Sequence, residues 1–290
     1  MKAIYLKELR GYFKSPLGYV FVGVVLALFG IFYSIYTLYT GYANYGSSVL
    51  SSTFTPLMFI IPILTMRIFA EESKNKTDQM LMTAPISNWA IVLGKFFAAA
   101  TVIVGTLLLT GLQPLTTKLL YNGVIGYATT WGGYLGIFLL SMMLLSIGMF
   151  ISSMTENQLV SVIVTLGVAL FFNLTSGIGA ALPADTGFSA IVVAILVAIV
   201  VFLLYRAIHD LIICGIVGVV GLVAIVTVYL IVPTAFEGLI GTMLEWISPM
   251  ARMSELFSGT FDFSQIIYFV AVSVFFLFLT NQVLEKKRWN

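Results

Sequence analysis

The residue types that usually do chemistry are scarce in this chain and scattered. His209 is the only histidine and Cys214 the only cysteine among 290 residues, so neither a metal-ligand cluster nor a disulfide framework can be assembled from them. No Gly-x-x-x-x-Gly-Lys-Ser/Thr phosphate loop occurs, which excludes that mode of ATP binding by the chain itself. No acid or base falls near the middle of a long apolar run, where a proton- or ion-coupled carrier would place one. Glu156, Asp185 and Asp210 all lie in connections between runs. The expected chemistry is therefore non-catalytic, with no metal and no cofactor on this chain.

Two polar segments stand out instead as docking material. Residues 71–85 carry Glu71, Glu72, Lys74, Lys76 and Asp78, then Met80, Leu81 and Met82 before Thr83 and Pro85. Glu72 and Lys76 have the favourable i,i+4 order, and Lys74 and Asp78 the less favourable one. The Ala84-Pro85 step should stop this helix, and Ser87 or Asn88 can cap the next. A solvated connector has no need of a Met-Leu-Met edge, whereas methionines adapt to a partner groove. The second segment is residues 1–16. On a helical wheel Tyr5, Leu9, Tyr12 and Phe13 share one face, with Lys7, Arg10 and Lys14 opposite. That pattern describes a basic amphipathic helix lying in a membrane interface, before Ser15-Pro16 turns the chain inward.

The elements that must position these segments are membrane helices. The chain is 60% hydrophobic and only 9% charged, with a mean hydropathy of +1.06, so most of its surface must face lipid or other apolar helices. About eight apolar runs approach the ~20 residues that a helix needs to cross a bilayer. They fall near 17–39, 49–69, 89–112, 131–153, 158–182, 188–205, 211–232 and 265–284. The count reads as six spans plus an extra hairpin over 188–232. Alternating crossings place all of the 14 Lys and Arg residues on one side except Lys118 and Arg252. The positive-inside rule then sets both termini in the cytoplasm. The first run is longer than a signal h-region and reads as a retained span. The expected fold is an all-α polytopic membrane protein, one transmembrane domain over residues 1–290. It has an interfacial helix at 1–16, a cytoplasmic loop at 70–88 and an extracytoplasmic amphipathic loop at 233–264. The net charge of +2 gives no reason to expect nucleic-acid binding.

Tyrosines at the outer ends, among them Tyr45 and Tyr134, read as an interfacial aromatic belt. Pro56 and Pro62 should bend the second span. Gly215, Gly218 and Gly221 could let a neighbouring backbone come close. In the 233–264 loop, Trp246, Met250 and Met253 are the candidate apolar anchors for an extracytoplasmic partner or a gate.

Four stretches carry a resemblance: KELRGYFKSPLGYVF, IPILTMRIFAEESKNKTDQMLMTAPISNWAIVLGKF, GMFISSMTENQ and FLTNQVLEKKRW. They resemble the permease subunits of ABC type-2 transporters, most closely the gliding-motility (GldF-like) subgroup. The resemblance implies a multi-pass permease of a bacterial cell membrane, an exporter that pairs with a second permease copy. It implies a separate cytoplasmic ATPase carrying ATP and magnesium, with residues 71–85 as the coupling helix in an ATPase cleft. An auxiliary membrane protein with an extracytoplasmic domain is a further expected partner. The alternative function is a mechanotransmitting or scaffold subunit that drives such a partner without moving a substrate.

Overall fold

The computed structural model describes residues 1–41, 44–77, 86–120, 126–208, 211–231 and 233–289. Every regular element among them is helical, as lipid requires of a chain with no strand pattern: helices satisfy their backbone internally. Six segments are long and apolar enough to cross a membrane: Pro16–Tyr39, Gly46–Lys74, Asn88–Leu119, Tyr127–Met154, Gln158–Ala181 and Phe263–Arg288. The protein is thus an all-α polytopic membrane protein.

Helix α1 (Lys2–Lys14) precedes the first span. Ser15 is extended and Pro16 occupies the first turn of α2 (Pro16–Tyr33), a position where a missing N–H costs nothing. The span continues as a wide π-type turn, Ser34–Tyr39. A matching wide turn, Gly46–Leu50, leads into α3 (Ser51–Thr65). Pro56 and Pro62 both stay inside α3. After a broken turn at residues 66–69 comes the short α4 (Ala70–Lys74). The third span is α5 (Asn88–Thr110), whose first turn is capped by Ser87: its Oγ accepts from the Ala90 N–H at 3.3 Å. It continues past Gly111 as α6 (Leu112–Leu120).

Helix α7 (Tyr127–Met154) is the axis of the larger of two compact units, residues 1–171 with 252–290. Residues 139–149 of α7 are buried without interruption, so this helix is apolar on all sides, as a span surrounded by other spans should be. Helices α3, α5 and α13 (Phe263–Trp289) pack around it. Close approach is set by missing side chains: a Cβ at Gly148 would fall 2.6 Å from Thr65 Cβ.

The smaller unit, residues 172–251, contains α9 (Thr186–Ile208) and α10 (Leu211–Ile231), packed together as a helical hairpin, and α11 (Leu239–Ile247). Helix α8 (Gln158–Ala181) runs into it from the larger unit, and α12 (Pro249–Ser258) leads out of it. The extra hairpin expected from the sequence is present as two helices. They are 23 and 21 residues long. Gly215 meets nothing within 4 Å and Gly218 only the Val201 side chain at 3.7 Å. Neither has a backbone neighbour within 4 Å among the described residues.

Candidate functional site

At the end of the bundle that bears α1, ionic groups from three helices meet. Lys95 lies two turns into α5 and is 1% exposed. Its Nζ donates to Glu8 Oε1 and to the Ile68 carbonyl, both at 2.9 Å. Glu72 Oε2 is also 2.9 Å away, and the Phe69 ring lies 5.3 Å from the ammonium. A buried cation is tolerated only when paired and hydrogen-bonded in this way. Glu8 belongs to α1 and Glu72 to α4, so one ammonium ties three elements together.

Lys7 reinforces the link. Its Nζ is 3.1 Å from Glu72 Oε1 and 3.8 Å from Glu8 Oε1. Partial burial pulls the Lys7 ammonium down, but the hydrogen bond and charge of Glu72 outweigh it and hold Lys7 above the ordinary lysine range. Arg67 forks onto Glu71, Nε to Oε2 at 2.5 Å and Nη2 to Oε1 at 2.9 Å. Its Nη1 reaches Ser15 Oγ at 3.3 Å. Tyr12 is buried beneath, and burial pushes its phenol well above the usual tyrosine value. These side chains line a polar cleft of about 370 Å³.

The break between α3 and α4 is held from α7. Ser152 Oγ accepts the Phe69 and Ala70 N–H groups at 3.1 and 3.0 Å and donates to the Met66 carbonyl at 3.3 Å. Buried backbone donors at a helix start need such a partner. The other end of α4 closes as a Schellman turn. Lys76 takes the left-handed conformation, φ 55°. The Thr77 N–H bonds the Glu72 carbonyl at 3.0 Å, and the Lys76 N–H bonds that of Ser73 at 3.1 Å. The helix that begins at Ala70 therefore stops at Lys74 instead of running to Pro85. Glu72 turns inward to Lys95 and Lys7 and forgoes the expected Lys76 partner, because a buried cation attracts a carboxylate more strongly than an exposed one. Lys74 and Lys76 stay exposed. Asp78, Met80, Leu81, Thr83 and Pro85 lie outside the described residues, as does the Lys74–Asp78 pairing.

Helix α1 packs with a face rotated from the expected one. Ile4 and Tyr12 are buried, Tyr5 and Leu9 half-buried, and Phe13 is 43% exposed. Glu8 takes the place that an all-apolar stripe would have occupied. A Cβ at Gly94 of α5 would come within 3.1 Å of Ile4, and Tyr5 Oη shares a 3.0 Å hydrogen bond with Thr101 Oγ1. Lys7, Arg10 and Lys14 remain on the exposed side.

The far end differs from expectation as well. Tyr39 and Trp131 are 90% and 68% exposed, which suits an interfacial belt. Tyr45, expected in that belt, is fully buried. Its hydroxyl donates to Gln113 Oε1 at 2.7 Å and lies 3.1 Å from Tyr134 Oη, which donates to Thr110 Oγ1 at 3.3 Å. Tyr33 Oη shares a 2.7 Å hydrogen bond with Thr116. This network joins the first four spans inside the bundle.

Of the three loop anchors, Trp246 is exposed and Met250 half-buried. Met253 is 1% exposed. A Cβ at Gly136 of α7 would fall 2.7 Å from Met253 Cε, and the neighbouring Phe257 meets Phe54 edge-on at 5.9 Å. Met253 thus fills the chain's own core and is no surface anchor; the glycine on α7 opens the socket for it. Among the described residues no group of His, Cys, Asp and Glu could hold a metal ion.

The larger unit is thus a bundle of membrane-spanning helices with a buried ionic joint at one end. A family model described as ABC-2 family transporter protein matches residues 14–173, more than half of the chain. The chain belongs to the ABC-2 transporter family, whose members are the membrane permease subunits of ABC transporters. Among curated proteins and among solved structures, none matches the chain.

Proposed function

We propose that this permease works with a separate cytoplasmic ATPase that docks at the α1 end of the bundle. The exposed Lys74 and Lys76 lie on the docking surface, and the Glu8–Lys95–Glu72 joint passes ATPase movement to the spans. The observation that supports this reading is the ammonium of Lys95. It is bonded to α1, to the carbonyl of Ile68 before α4, and to α4 itself. A displacement of α4 is therefore carried to α1 and α5 together, since packed, hydrogen-bonded elements move as units. In this reading ATP and magnesium bind the ATPase, the α1 end is cytoplasmic, and the complex exports its substrate from a bacterial cell. The quoted motifs support a GldF-like permease that pairs with a second copy and an auxiliary extracytoplasmic protein.

The test is co-expression with an ABC ATPase subunit of the same organism, followed by purification and reconstitution. Replacing Lys74 and Lys76 by Glu is expected to weaken co-purification at least several-fold. Replacing Lys95 by Met together with Glu8 and Glu72 by Gln should leave co-purification intact and abolish the permease-dependent change in ATP hydrolysis. Full stimulation of the ATPase by that triple variant would refute a transmitting role for the joint.

A further inference from the structure

At the far end of the larger unit a cleft of about 700 Å³ opens between α5–α6 and α7, within the ~300–1,000 Å³ of small-molecule sites. Leu107, Leu108, Leu115, Leu135 and Phe138 make its walls apolar. One cation, Lys118, lines its polar side. Lys118 is exposed, makes no ion pair among the described residues, and lies over the Tyr127 ring at 5.8 Å. Trp131, on the rim, is 68% exposed.

We infer that this cleft holds one acyl chain of an anionic phospholipid from the bilayer, its phosphate on Lys118. The charge decides the class. A zwitterionic head brings an ammonium that gains nothing from Lys118, whereas an anionic head gains about 1 kcal/mol from one nearby lysine. Tyr127 and Trp131, which also line the cleft, are residue types enriched where headgroups meet acyl chains. This inference does not depend on the coupling reading, because the cleft lies at the other end of the bundle.

Trp131 supplies the readout. In a chain with Trp89, Trp246 and Trp289 replaced by Phe, reconstituted into vesicles, brominated acyl chains on phosphatidylglycerol or phosphatidylcholine would be titrated against Trp131 fluorescence. Half-maximal quenching is expected at about fivefold lower mole fraction for phosphatidylglycerol, the factor that corresponds to about 1 kcal/mol. Lys118→Gln should remove that preference, and Arg252→Gln should leave it. Equal quenching by the two lipids would overturn the proposal. So would a preference that survives Lys118→Gln, or one that Arg252→Gln removes equally, which would reduce it to general surface charge. Absence of quenching by either lipid would assign the cleft to a protein neighbour and also refute it.

Discussion

Lys95 Nζ stands 2.9 Å from Glu8 Oε1, so a lysine of the third span and the lone acid of the N-terminal helix's packed face neutralise one another. This contact makes α1 part of the bundle instead of a detachable surface helix. It also explains how a charge can sit in α5 with 1% exposure.

Removing the cation alone leaves two carboxylates facing each other in a low-dielectric pocket. Lys95→Met is expected to destabilise the permease by ~3–5 kcal/mol, the usual consequence of breaking a buried pair from one side. Adding Glu8→Gln and Glu72→Gln should restore most of the loss. Thermal midpoints of the purified variants in detergent measure both steps. Equal midpoints for the single and triple variants would show that the charge balance does not matter there.

Gly94 leaves room for Ile4. Gly94→Leu would drive a side chain into the α1 contact at a cost of ~1–3 kcal/mol, typical of overpacking. Helix α1 should then lift away while the spans stay folded. Limited proteolysis reports this as faster cleavage within residues 2–14, with the remainder of the chain as resistant as before.

Ser152 accepts two backbone N–H groups that open α4. Ser152→Ala strands both donors, each at ~1–3 kcal/mol if the local structure cannot relax. Faster amide exchange at Phe69 and Ala70 is the expected signature. Protection like that of the parent protein would mean that another acceptor, such as water, takes over.

Tyr45 and Tyr134 couple the second and fourth spans at the far end. Their rings stack at 6.1 Å and their hydroxyls lie 3.1 Å apart. Tyr45→Phe and Tyr134→Phe should each lower the thermal midpoint. In a double-mutant cycle they should show an interaction energy of ~0.5–3 kcal/mol, as expected for residues in one hydrogen-bond network. Strict additivity would show that the network is two separate contacts.

Much of this architecture is written locally in the chain. Long apolar runs can only be helices in lipid, so the six spans follow from composition and length. The interfacial periodicity of residues 2–14 and the Ser15-Pro16 turn follow from neighbours a few residues apart. The quoted motifs, from KELRGYFKSPLGYVF to FLTNQVLEKKRW, carried the family likeness, and the family match covers residues 14–173. Partnerships across the fold are of another kind. Local spacing offers Glu72 the cation of Lys76 four residues on, but helix packing brings Lys95 and its desolvated charge closer, and the stronger field wins. A lysine in an apolar helix and a single acid in a basic one were the available clues to that pair. Tyr45 has the composition of a belt residue and Met253 that of a surface anchor. Each is buried because a neighbouring helix presents what it needs: a polar group, Gln113 beside Tyr134, for the one and the space beside Gly136 for the other. Hydropathy decides which segments enter the membrane; only the packing of those segments decides which polar groups meet inside it.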